Sequence, residues 1–248
     1  MQSGSNETGT FVHPNARRFS DDPWEPVHVS SEMEKGRLLP LAVILTAMAM
    51  LAIILSAPTE RSMGDAQRIV YIHVAVAWCG LAGFLLMAGA GLMYLLRRNL
   101  AWDHWAQAAA ELGWLAATLT LITGSIWAHA AWNTWWSWDP RLATTFVLWA
   151  INSACLVVRS GLEDPHRRAR IGAVLAILGA IDLPLVVMAT RWFRGIHPRS
   201  PQMELSMRGV LLVSVAGLTA LFAVLLVRRR AQLDLERLVA TLESQVER

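Results

Sequence analysis

Charge is scarce in this chain. Lys, Arg, Asp and Glu make up 17% of its 248 residues, against about 25% in an average soluble domain. Long apolar blocks alternate with short charged ones, which excludes an ordinary soluble fold and marks a polytopic membrane protein. Cysteine is scarce too. Cys79 and Cys155 stand far apart inside apolar blocks, so they offer no disulfide framework, CxxC or zinc spacing. Both read as small buried hydrophobes. No CxxCH is present, which excludes covalent attachment of a c-type haem to this chain. No P-loop, glycine-rich nucleotide fingerprint, HExxH or Ser-His-Asp pattern stands out, and nothing points to a nucleic-acid partner. The stretch 1–37 is polar and lacks the apolar core of a signal peptide. Its composition suits a mostly disordered tail in which His13 and His28 are solvated.

What is present is apolar length. A membrane-crossing helix needs about 20 apolar residues, and six stretches qualify: Leu38–Ala57, Val70–Leu96, Ala106–Ala128, Leu142–Val158, Ile171–Thr190 and Val210–Val227. Barrel strands would read as short alternating segments, so helices are expected. The fold class is therefore all-α, a six-helix membrane domain over 38–230 surrounded by the lipid bilayer. Beyond Arg230, Leu235, Leu238, Leu242 and Val246 recur at helical spacing among charges. Residues 231–248 thus read as a solvated or partner-binding C-terminal helix or tail.

Basic residues orient the bundle. Lys35, Arg37, Arg97, Arg98, Arg159, Arg167, Arg168, Arg170 and Arg228 to Arg230 collect on one side. Arg61, Arg68, Arg141, Arg191, Arg194, Arg199 and Arg208 lie on the other and are fewer. The excess puts both termini in the cytoplasm. Segments 58–69, 129–141 and 191–209 then face outward.

The outer side gathers unusual residues. Of twelve tryptophans, Trp127, Trp132, Trp135, Trp136 and Trp138 fall around one helix junction, in "WAHAAWNTWWSWDPR". An aromatic belt at the headgroup level accounts for Trp78, Trp149 and Trp192, but not for that density. Each indole offers about 150–250 Å² for burial, so an exposed cluster invites a ligand or partner. His73 sits about one turn inside the outer end of the second span, and His197 lies in the last outer segment. Ionisable groups within membrane spans are commonly functional. Two imidazoles from different elements, stacking indoles and nearby arginines suit a flat, apolar, metal-bearing ligand that is acidic at one edge, which describes haem. In that reading Arg68 and Arg141 meet the propionates. His129 reads either as a plain loop residue or as a third imidazole. His104 and His166 read as ordinary polar residues of the inner connectors, and Glu111 as an ordinary acid near the inner end of its span. Asp182, near mid-membrane beside Pro184, reads as a protonated or hydrogen-bonded structural acid or as a proton relay.

"WNTWWSWDPR" resembles the WWD signature of haem-handling membrane proteins of cytochrome c maturation. "RIVYIHV" before it and His197 after it are similar to the histidines that flank that signature. Their order, the six spans and the length resemble the haem exporter protein C family, over residues 37 to 230. The resemblance implies a bacterial inner-membrane protein that holds haem b transiently, as cargo, at the periplasmic face. It implies no enzymatic activity. It implies delivery to a membrane-anchored periplasmic haem chaperone, and association with ABC transporter subunits and a small single-span accessory subunit. Carried over, His73 and His197 would be axial ligands of the iron, and Trp132, Trp135, Trp136, Trp138 and Asp139 would form the platform. Arg68 and Arg141 match basic positions beside these motifs.

Three positions depart from the family pattern. Asn133 stands where the signature often has glycine, at a tight turn. Pro140 fixes the exit from the loop into the next helix. Asp182 stands where an uncharged polar residue is expected. Two other readings of the residues remain: a b-type electron-transfer subunit, which would use histidine pairs deep in facing helices, and a non-haem scaffold or permease subunit, which would carry no haem at all.

Overall fold

The computed structural model describes residues 29–57, 59, 63–197 and 203–247, with only the backbone of 29–38 and 54. His13, His28, Arg61 and Arg199, discussed above, lie outside the described residues. The chain divides into two units, Met1–Gly36 and Arg37–Arg248. The described part of the first is helical backbone from Val29, within the stretch expected as a tail.

Among the described residues six helices follow one another: α1 (Val29–Ser56), α2 (Gln67–Arg97), α3 (Leu100–Trp132), α4 (Pro140–Ser160), α5 (Pro165–Trp192) and α6 (Leu205–Val246). Helices α2 to α6 are each long and apolar enough to cross a membrane. In α1, a helix of 28 residues, the apolar stretch with described side chains is Leu39–Ile53. The chain is thus an all-helical polytopic membrane protein. Helix α6 runs unbroken through Val246, so the sixth span and the expected C-terminal helix are one continuous element.

Local chemistry explains the helix ends. Asp139 and Asp164 are the N-caps of α4 and α5, each followed by proline at the first helical position. The aspartate accepts an amide proton that has no partner in the helix, and proline has none to offer. Asn99 caps α3 in the same way, accepting from Ala101 N at 2.9 Å. At its other end α3 continues through His129 to Trp132 and closes on Asn133, which adopts φ 54°. Among residues other than glycine, asparagine tolerates this left-handed conformation best. The tryptophan loop is therefore only 133–139, and His129 and Trp132 belong to the last turn of α3.

Small residues set the packing. A Cβ on Gly83 of α2 would sit 2.8 Å from the Gly113 Cα of α3, and one on Gly91 would sit 3.1 Å from the Ala173 Cα of α5. Close backbone approach of this kind drives helix association where apolar burial gives no advantage over lipid. Ala108, Ala109, Ala110 and Ala117 continue the seam, with Phe84, Leu148 and Leu226 filling the space between helices. Helix α1 meets α6 through Ala49 at Gly217, and the Thr46 hydroxyl lies 3.1 Å from Gly217 O.

The end of the bundle where α2 stops and α3 begins is tied by charge. Arg159, expected as a flanking charge, is buried and makes a bidentate pair with buried Asp103 at 2.8 and 3.0 Å. It also donates to Gln107 Oε1 at 3.0 Å. Gln107 donates to Glu111, and Glu111 pairs with Arg229. His104 pairs with Asp234. Thus α3, α4 and α6 are locked where the sequence offered separate connector charges and ordinary polar residues.

Candidate functional site

At the other end, a cavity of about 300 Å³ lies among the start of α2, the end of α3, the start of α4 and the end of α5 with the segment after it. Small-molecule sites span about 300–1,000 Å³ and are lined mostly by apolar side chains with few polar ones. Here the polar exceptions include His73, Arg141 and His197, and Trp132 and Trp136 share the lining. Five of the residues expected at the site thus face one space.

His73 is held by α3. A Cβ on Gly124 would lie 3.0 Å from the His73 Cε1, so the glycine makes room for the ring. His73 Nδ1 lies 3.1 Å from Thr123 Oγ1. That hydroxyl has a single proton and donates it to Leu119 O at 2.7 Å, so towards the imidazole it accepts. Nδ1 then carries the ring proton, and the Nε2 lone pair is left to bind. A hydrogen bond that fixes the tautomer in this way is the usual support of a metal-ligating histidine.

His197 sits beyond the end of α5, its ring centroid 6.5 Å from that of Trp127. Its backbone N–H donates to Asp139 Oδ2 at 3.2 Å, while Asp139 Oδ1 accepts from Arg141 N at 2.9 Å. The carboxylate is buried, and a Cβ on Gly195 would overlap it. Asp139 does not line the cavity. It joins the tryptophan loop, the N-terminus of α4 and the histidine segment through one side chain.

The guanidinium of Arg141 faces the cavity and donates to Val186 O and Val187 O, both at 3.2 Å. These carbonyls belong to α5, so Arg141 ties the start of α4 to α5 beside the cavity. Arg68 is placed elsewhere. It does not line the cavity, and it pairs with Asp65 at 3.4 Å.

The tryptophans divide into two sets. Trp132 packs edge-on against buried Trp127 at 4.6 Å. Trp136 heads an aromatic column with Phe146, Trp149 and Trp114 that runs down α4 and α3. Trp149 therefore belongs to helix packing rather than to the belt expected for it, and donates to Thr118 Oγ1 at 2.9 Å. Trp135 and Trp138 lie outside the cavity, 58% and 77% exposed. Trp135 stacks on His129 at 4.0 Å and 9° between planes, so His129 also stands apart from the two cavity histidines. Asp182 is buried in α5, and its Oδ2 has no hydrogen-bond partner among the described residues.

Sequence reasoning passed over Thr123 and Gly124 and left Trp78 to the belt, although Trp78 lines the cavity. The signal for the first two was available, since they follow one another on the helix that ends in the tryptophan segment. Only the α2–α3 pairing turns them towards His73.

The family model described as Heme exporter protein C matches residues 22–245. The protein of that name from Rhodobacter capsulatus is 31% identical over 88% of this chain and 96% of its own length. That from Bradyrhizobium diazoefficiens is 32% identical over 77% and 76%, and that from Escherichia coli 29% over 72% and 75%. A family match over nearly the whole sequence, joined to this helical membrane architecture, means that the chain belongs to the haem exporter protein C family.

Proposed function

We propose that this protein holds haem b at the periplasmic face of the bacterial inner membrane and hands it to a membrane-anchored haem chaperone during maturation of c-type cytochromes. His73 and His197 are the axial ligands, Trp132 and Trp136 flank the macrocycle, and Arg141 meets a propionate. Trp135 and Trp138 form the face presented to the acceptor. Both termini lie in the cytoplasm, where ABC transporter subunits and a small single-span subunit associate with the bundle. The chain binds and orients its cargo and performs no bond-making of its own.

The observation that carries this reading is the convergence of His73 and His197, from different elements, on one largely apolar cavity that also holds Trp132, Trp136 and Arg141. Two imidazoles supply too few donors for a bare cation, and no cluster of three or more His, Cys, Asp or Glu side chains exists among the described residues. A ligand that brings its own equatorial donors and needs only axial ones suits this set.

Absorption spectra of the protein purified from cells test the reading, alongside His73→Ala and His197→Ala. Wild type should carry low-spin haem, and each variant should lose low-spin character or haem. Wild type without haem, or an unchanged low-spin spectrum in both variants, refutes it.

A further inference from the structure

We infer that Asp139 is a positioning residue that carries His197 on the tryptophan loop, which makes His197 the axial ligand that lets go while His73 is retained. The inference rests on the axial roles proposed above.

The two histidines are held in different ways. His73 lies within a helix, its ring set against Gly124 and its Nδ1 against Thr123 of α3. Helix α3 in turn meets α2 at the close Gly83–Gly113 contact. Moving His73 means moving packed helices. His197 follows Phe193–Ile196, an exposed stretch beyond the end of α5. Its amide is tied to Asp139 Oδ2, and Gly195 lies so close to the carboxylate that it has no room for a side chain.

Asp139 is therefore a buried anion between two N–H donors from separate parts of the chain. Hydrogen bonds to an ionised acceptor are stronger than neutral ones and impose geometry. The residue next to it is Trp138, the most exposed of the loop tryptophans. Displacement of the loop by a protein engaging Trp135 and Trp138 shifts Asp139 and, through it, the His197 segment. The α2–α3 hold on His73 is not in that path. Docking at the exposed indoles is thereby coupled to loosening of one axial bond.

Asp139→Asn tests this, because asparagine keeps the size but replaces one of the two accepting oxygens with an NH₂ donor. In the haem-free, detergent-solubilised protein, amide exchange over residues 193–197 should quicken about tenfold, the loss of roughly one hydrogen bond. Exchange in the α2 stretch around His73 should stay unchanged. After reconstitution with haemin, the variant should lose part of its low-spin absorption, as His197→Ala does, and added imidazole should restore it by filling the vacated position. Gly195→Ala attacks the same contact from the other side, should give the same signature, and carries the test if Asp139→Asn fails to fold. Unchanged exchange at 193–197 in both variants overturns the inference. So does faster exchange with an unchanged low-spin spectrum. If His197→Ala itself keeps the wild-type spectrum, the axial reading fails and the inference with it, and the exchange measurement still reports whether Asp139 holds the segment.

Discussion

Thr123 of α3 is the hydroxyl partner of His73 of α2. Its Oγ1 stands 3.1 Å from His73 Nδ1 and is oriented by its own donation to Leu119 O. Replacing Thr123 with valine keeps the shape and removes the acceptor. Loss of such a supporting hydrogen bond costs about 10–100-fold in the affinity of a ligated group. Haem dissociation from Thr123→Val should accelerate by about that range, while Thr123→Ser stays near wild type. An unchanged dissociation rate in the valine variant would remove Thr123 from the site.

Gly124 acts on the same ring through space. With a Cβ 3.0 Å from His73 Cε1, alanine forces the imidazole aside by a few tenths of an ångström, and valine forces it further. Haem content should fall in the order glycine, alanine, valine, with helix content unchanged by circular dichroism. A flat series would show that the ring has slack in its seat.

The division of the tryptophans makes a paired prediction. Trp135 and Trp138 are exposed and outside the cavity, whereas Trp132 and Trp136 line it. Trp135→Ala with Trp138→Ala should leave the haem spectrum intact and weaken chaperone loading by at least about tenfold, the scale of an aromatic interface anchor. Trp132→Ala with Trp136→Ala should instead lower the haem retained on purification. His129→Ala should follow the exposed pair, since its ring stacks on Trp135. Equal effects of the two pairs on haem retention would contradict the division.

Much of this was legible in the sequence, for physical reasons. Apolar length is a local property, so helices were readable wherever lipid sets the requirement. The convergence of His73, the tryptophans and His197 on one end followed from counting crossings. Helix ends were less legible. The span expected to stop at Ala128 continues to Trp132, because Asn133 accepts the left-handed turn that closes it. That one extra turn places Trp132 against Trp127 inside the cavity and His129 outside it. Arg68 neighbours the second span as Arg141 neighbours the fourth, but of the two it is Arg141 that lines the cavity, a difference that sequence proximity does not report. The role of Asp139 depends on a contact with His197, 58 positions away, which no local pattern reports.

Asn133 gives a backbone test. At φ 54°, glycine has no steric cost and a β-branched residue a large one. Asn133→Gly should therefore be neutral in stability and function. Asn133→Val should lower thermal stability and disturb the tryptophan loop. Equal stability of the two variants would mean that the turn is not held in the left-handed region.

The buried Asp103–Arg159 pair supplies a stability test independent of the cavity. Both side chains are almost fully buried, and Gly172 leaves room for the guanidinium, which a Cβ there would overlap. Removing one partner strands the other charge away from water, at a cost of about 3–5 kcal/mol. Replacing both by apolar residues of similar volume strands neither, because the desolvation of two ions offsets most of their attraction. Arg159→Ala should thus lower the unfolding midpoint in detergent strongly, whereas Arg159→Met combined with Asp103→Leu should recover most of the loss. The pair ties α3 to α4 at the end of the bundle away from His73 and His197, so the haem spectrum of whatever folds should match wild type. A double variant as unstable as Arg159→Ala would mean that the pair contributes more than it costs to bury. A changed spectrum would mean that the two ends of the bundle are coupled.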